Sequence, residues 1–134
     1  MNISRPSSIR FRFQKLDVWH DARQLNFTVY MPTQVFPIEE KYALTSQIRR
    51  GLSSIAANIA EGSGRNSDRD FAHFLEQAYV SGMELAPHLY VAFDLNYISE
   101  AKLDSSLESI RVLAAKIARL NKSLGVKERK VNFA

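Results

Sequence analysis

Four stretches of this chain repeat apolar residues at steps of three and four, and over such lengths that spacing fits one face of an α-helix and not a strand. The sharpest is Leu44, Ile48, Leu52, Ile55 and Ile59, at steps of 4, 4, 3 and 4. Leu103, Leu107, Ile110, Leu113, Ile117, Leu120 and Leu124 come close to a heptad seam. Val18, Ala22, Leu25 and Val29 form a shorter stripe, flanked by Trp19 and Tyr30. The third stretch carries Phe71, Phe74, Leu75, Ala78, Ser81, Gly82, Leu85, Leu89 and Phe93.

The residues between these stripes predict where each helix starts and stops. Asp17 is placed to cap a first helix over about 17–31. Pro37, with Glu39 and Glu40 in the first turn, opens the second, because the positive end of the helix dipole favours anions. Gly62 is suited to end it in the left-handed conformation. Ser67, followed by Asp70, reads as a capping box for the third. Pro87 predicts a kink near 83–87, since proline removes one backbone bond and crowds the preceding turn. Ser99 caps the fourth helix and Gly125 ends it. The alternation of Ile9, Arg10, Phe11, Arg12 and Phe13 predicts an edge strand or a docking arm. The expected architecture is all-α: an antiparallel, up-down-up-down four-helix bundle over 16–125, with a basic N-terminal arm over 1–15 and a basic C-terminal tail over 126–134.

Composition agrees with that class. The 134 residues suit one domain, and 5 Gly with 4 Pro are too few turn-formers for a sandwich or barrel. There is no Cys, so no disulfide, no thiolate nucleophile and no Cys-ligated metal. No apolar run approaches the roughly 18–20 residues of a membrane span. The first 15 residues lack the apolar run of a secretory leader, and a cytoplasmic location is expected.

Charge is distributed unevenly. Residues 1–15 hold Arg5, Arg10, Arg12 and Lys15 and no acid, and residues 111–130 hold seven basic residues against Glu128 alone. The middle of the chain is acidic. In an up-down-up-down bundle the first and fourth helices are neighbours, and the arm and tail share one end, so their fields add and attract polyanions. A purely solubilising role is the alternative. Candidate nucleic-acid contacts are Arg10, Arg12, Lys15, Arg49, Arg50, Arg65, Arg69, Arg111, Lys116, Arg119 and Lys122. Contacts of this kind give affinity and salt dependence without sequence choice, and no stacking-platform signature accompanies them.

Polar and small residues interrupt the helices. Asn58 with Glu61, and Ser81 with Glu84, share helix faces at spacing three. They read as a buried hydrogen-bond network, with Arg49 or Arg50 as counter-charge, or as a catalytic carboxylate pair. Gly51, Ser54, Ala57 and Gly82, with Phe27, Tyr30, Tyr79 and Tyr90, predict a second face for self-association. Glu84 and His88 are four apart and occur once, which is not a di-metal pattern, so no metal or cofactor is expected. Gly62-Ser63-Gly64-Arg65 lacks the lysine and preceding strand of a phosphate-binding loop.

One set of residues has a recognisable order. Phe13-x-x-Leu16-x-Val18-Trp19 is followed by Tyr30, Phe36-Pro37-x-x-Glu40 and Leu44-x-x-Gln47-Ile48-Arg49-Arg50. Ser54-Ile55-x-x-Asn58-Ile59-Ala60-Glu61-Gly62 and Phe74-Leu75-x-x-Ala78-x-x-Ser81-x-x-Glu84-Leu85 come next. Over about 13–124 this resembles the bacterial four-helix-bundle family encoded in intervening sequences of 23S ribosomal RNA genes. The resemblance implies a homopentamer. It also implies kinship with the accessory protein of diversity-generating retroelements, which binds reverse transcriptase and nucleic acid through a basic surface. The expected function is therefore a non-enzymatic oligomer contacting structured RNA or a nucleoprotein. The alternative is a scaffold that recruits a protein such as a reverse transcriptase.

Overall fold

The computed structural model describes residues 2–126. Within them lie four α-helices: α1 (Asp17–Thr33), α2 (Leu44–Ser63), α3 (Asp68–Asp94) and α4 (Glu100–Ser123). Short 3-10 turns at Arg12–Lys15 and Ile38–Glu40 precede α1 and α2. Among the described residues there is no strand, so the alternating 9–13 segment is not an edge strand. Beyond Val126, the expected C-terminal tail lies outside the described residues.

The four stripes meet in one core. Ile48, Leu52, Ile55 and Ile59 of α2 and Leu75 and Leu85 of α3 are almost completely buried, together with Ile117 of α4 and Ala22 of α1. Each buried aliphatic side chain contributes roughly 1.5–3 kcal/mol through area removed from water, which is why the period-3.6 stripes dominate the fold.

α2 and α3 make the most intimate contact, and glycines allow it. A Cβ at Gly62 would lie 2.6 Å from the Cβ of Phe74 and 3.0 Å from Cδ1 of Phe71. Gly51 faces Leu85, and Gly82 faces Ile55 and Ile110. Read from Gly51 to Gly62 along α2, the partners on α3 run back from Leu85 to Phe71. The small residues expected to form a second, self-associating face are thus mostly spent inside the bundle. Tyr79 is buried with them, at 6% exposure. Ala57 and Tyr90 remain exposed.

Several helix ends differ from the sequence reading. Leu16, extended at φ −92° and ψ 123°, takes the cap position of α1, and Asp17 is the first helical residue. Leu16 packs against the core, while its carbonyl accepts from the backbone N–H of Trp19 and His20 at 3.2 and 3.3 Å. α1 continues through Pro32 to Thr33, at the cost of the one backbone bond that an N–H at position 32 would have donated to the Thr28 carbonyl. Glu39 and Glu40 lie in their own 3-10 turn, and α2 starts only at Leu44, after Ala43 bends the chain at φ −124° and ψ −106°. Glu40 instead accepts the hydroxyl of Tyr97, in the α3–α4 turn, at 2.9 Å. Gly62 is not the terminator of α2. The helix passes through it and is capped at Gly64 (φ −88°), so the glycine serves close packing, not a left-handed turn.

Other ends follow the sequence. Ser67 Oγ accepts from the Asp70 N–H at 3.1 Å, and Ser99 Oγ from the Lys102 N–H at 3.1 Å. Asn96, at φ 64°, and Gly125, at φ 69°, occupy the left-handed region. α3, 27 residues long, runs unbroken past Pro87.

Two outcomes follow. Gly62→Ala loses about 1–3 kcal/mol of stability through overpacking against Phe71 and Phe74, whereas Gly51→Ala, whose new methyl meets Leu85 at an ordinary 3.5 Å, gains up to about 1 kcal/mol of helix propensity. Urea unfolding of both variants measures the contrast. The hydrogen bond to Glu40, partial burial and the charges of Glu40 and Glu39 raise the Tyr97 phenol above 10.0. A raised value means the stabilising contact is fully present below pH 10 and is lost as pH climbs through the folded value. The stability advantage of the native chain over Tyr97→Phe is therefore expected at neutral pH and shrinks in strongly alkaline solution.

Candidate nucleic-acid interface

The arm is ordered by its own polar groups. Gln14 Oε1 accepts from the backbone N–H of Arg10 and of Phe11, both at 2.9 Å, and its Nε2 donates to the Ser8 carbonyl at 3.1 Å. His20 Nε2–H donates to the Gln14 carbonyl at 2.7 Å, tying this turn to α1. Further out the chain doubles back along α1. Arg23 donates to the Ser4 carbonyl at 2.8 Å, the Ile3 N–H to Gln24 Oε1 at 2.8 Å, and Arg5 lies 3.3 Å from Asp17. None of these clasps was legible in the charge pattern. Their one local signal is Gln14, three residues after Phe11, the spacing of a capping side chain.

Two independent contacts place the arm and the end of α4 together. The Arg12 guanidinium sits 6.0 Å from the Phe71 ring in the first turn of α3. Asn121 of α4 donates to the Ala72 carbonyl, next along that same turn, at 2.8 Å. Arg10, Arg12 and Lys15 on the arm, Arg65 and Arg69 around the α2–α3 loop, and Arg119 and Lys122 in the last turns of α4 are thereby brought to one end of the molecule, all of them exposed. Arg65 is partly committed there. It pairs with Glu61 at 2.9 Å and lies over the Phe74 ring at 4.7 Å.

The remaining predicted cations lie elsewhere. Arg111 is held by Glu108 at 2.6 and 2.9 Å. The hydrogen bond and charge of Arg111 keep the Glu108 carboxyl below the ordinary carboxylate range. Lys116 pairs with Asp21 of α1 at 2.8 Å. Arg49 and Arg50 belong to the opposite half of α2. Arg49 is half-buried, with its guanidinium 4.2 Å from the Tyr30 ring and its Nε donating to Thr33 Oγ1 at 2.9 Å. Arg50 is exposed.

The four polar residues singled out in the sequence separate as well. Ser81 Oγ meets Ser54 Oγ at 2.8 Å, and Asn58 Nδ2 donates to the Ser54 carbonyl and hydroxyl at 2.8 and 3.1 Å. Ser54, read beforehand only as a small residue, is the hub. Glu61 turns to Arg65, and Glu84 is exposed, so neither joins them and the two do not form a carboxylate pair. Arg49 is engaged by Tyr30 and Thr33 and is not their counter-charge. Among the described residues, no three His, Asp or Glu side chains converge as metal ligands. No described helix is long and apolar enough to cross a membrane.

Comparison with known proteins follows the same outline. No curated protein matches the chain. A crystal structure of a protein of unknown function from the S23 ribosomal protein family of Bacteroides thetaiotaomicron superposes with a TM-score of 0.70. It shares 21% identity and covers 78% of this chain and 98% of its own, a similarity that establishes the fold. The sequence model of the family described as 23S rRNA-intervening sequence protein matches residues 14–119. With the greater part of its length matched, from the arm's last turn to about a turn short of the end of α4, the chain belongs to the 23S rRNA-intervening sequence protein family.

Proposed function

We propose that this protein is a non-enzymatic, cytoplasmic binding protein that contacts structured RNA, free or in a nucleoprotein, through the basic end of an antiparallel, up-down-up-down bundle. The observation that carries the reading is the convergence of Arg12 and Asn121 on the first turn of α3, which gathers seven cationic side chains from three separate segments at one end. Exposed cations clustered in this way form an electrostatic footprint for phosphates. Among the described residues, Arg10, Arg12 and Lys15 have no carboxylate partner to neutralise them, so their charge is available to phosphates. The run of opposed partners along α2 and α3, and the short α3–α4 turn, support the antiparallel arrangement.

Assembly as a homopentamer belongs to the same proposal. It would repeat the basic end around an axis and multiply weak phosphate contacts into avidity. A specific feature favours a protein-facing role beside it. An apolar groove of about 420 Å³ runs between α3 and α4, bordered by Tyr79, Met83, Leu107, Ala115 and Ala118. In the second reading this surface recruits a protein such as a reverse transcriptase, and the basic end only solubilises.

Fluorescence anisotropy of labelled ribosomal RNA hairpins across a salt series separates the two. The native protein should bind with a steep negative salt slope. The triple variant Arg10→Ser, Arg12→Ser and Lys15→Ser should bind more weakly, with a slope shallower by about one unit for each phosphate it no longer neutralises. Salt-independent binding, or unchanged affinity of the variant, would contradict the assignment. Light scattering should give five times the chain mass, and a monomer would remove the pentamer.

A further inference from the structure

We propose that Phe11 is a stacking platform for an unpaired nucleobase, so that the basic end selects unpaired over duplex RNA. The inference rests on the RNA-binding reading and adds to it what the phosphate contacts cannot supply, a preference for exposed bases.

The arm's aromatic residues are arranged as a ladder. The Phe11 and Phe13 rings are parallel within 8°, their centroids 5.5 Å apart. Phe13 leans on Trp19 at 4.6 Å, and Trp19 meets the His20 ring edge-on at 5.2 Å. Phe13, Trp19 and His20 are all half-buried, so the inner rungs are anchored on α1. Phe11, the outer rung, is 61% exposed. With one face against Phe13, much of the rest of the ring is open to solvent.

An exposed phenylalanine on a loose segment would mean little, because its position would be averaged. This one is fixed. Gln14 Oε1 holds the backbone N–H of Phe11 and of its neighbour Arg10, and the Phe11 carbonyl accepts the Gln14 N–H at 3.1 Å. A platform ordered before binding loses less entropy on capture.

Charge decides what the platform fits. Arg10 and Arg12 flank Phe11, and Lys15 follows one turn later, all exposed and without a carboxylate partner among the described residues. A flat aromatic surface flanked by cations that no described carboxylate neutralises matches a base attached to a phosphodiester. Proteins that bind single strands combine these two elements, the ring taking the base and the cations the backbone. A duplex buries its base faces in its own stack and offers the platform only its ends.

The test uses the full chain with three probes: an unpaired oligoadenylate of about a dozen nucleotides, a blunt RNA duplex of equal length, and an abasic strand with the same phosphates. Phe11→Ala and Phe11→Leu should each lose about tenfold in affinity for oligoadenylate. Phe11→Tyr should retain it. Binding of the duplex and the abasic strand, and the salt slope, should not move, because the cations remain. Emission of Trp19, the single tryptophan, should respond to oligoadenylate and not to the abasic strand. Thermal unfolding should move little, since the ring is largely exposed and its contact with Phe13 lies at the surface. If native protein and Phe11→Ala bind oligoadenylate equally, the platform is refuted while RNA binding stands. If native protein binds none of the probes, both fail. If Phe11→Ala alters oligomeric mass and leaves RNA affinity intact, the ring belongs to a protein contact and the proposal is overturned.

Discussion

The close approach of α2 and α3 at Gly62 is the constraint on which the rest of the molecule depends. A backbone without a side chain at that point lets Phe71 and Phe74 lie directly against α2. The first turn of α3 is thereby fixed beside the last turn of α2. That turn then receives Arg12 from the arm and Asn121 from α4. Close packing between two helices therefore decides which charged residues become neighbours at the bundle's end. The Ser54–Ser81 hydrogen bond reinforces the same register a few turns away.

The arm illustrates how a polar segment is ordered without a core of its own. Its backbone donors and acceptors go to Gln14, Arg23 and Gln24, and its rings go to Trp19. The outcome is a fixed lead whose cations are displayed and, among the described residues, not spent in ion pairs apart from Arg5 with Asp17. Display of this kind separates Arg10, Arg12 and Lys15 from Arg111 and Lys116. The latter pair, similar in the sequence, are neutralised by Glu108 and Asp21. The exposed Arg111–Glu108 pair adds little stability, but both pairs reduce the local field available to a ligand.

Helical periodicity made the core legible from the sequence, because burial of one stripe per helix follows directly from the spacing of Leu and Ile. The caps at Ser67 and Ser99 were legible for the same local reason. Tertiary effects were not. Gly62 looked like a terminator because a glycine after an apolar run usually is one, and only the position of Phe71 and Phe74 reveals its packing role. Glu39 and Glu40 looked like first-turn acids of α2, but Glu40 is claimed by Tyr97, a residue 57 positions away. The eleven candidate cations were chosen by type and segment. Which seven share an end, and which are already paired, depends on contacts between helices that spacing does not encode. Ser54 was missed as a polar hub because its partner Ser81 lies on another helix.

The family relationship and the fold leave the biochemical role to the surface, and on the surface the basic end is the feature with the most concentrated chemistry. Ultraviolet cross-linking of bound RNA followed by peptide mapping tests that claim most directly. Cross-links confined to residues 10–15, the 65–69 segment and the last turns of α4 are the predicted result. Cross-links along the α3–α4 groove, or none above background at physiological salt, would contradict it.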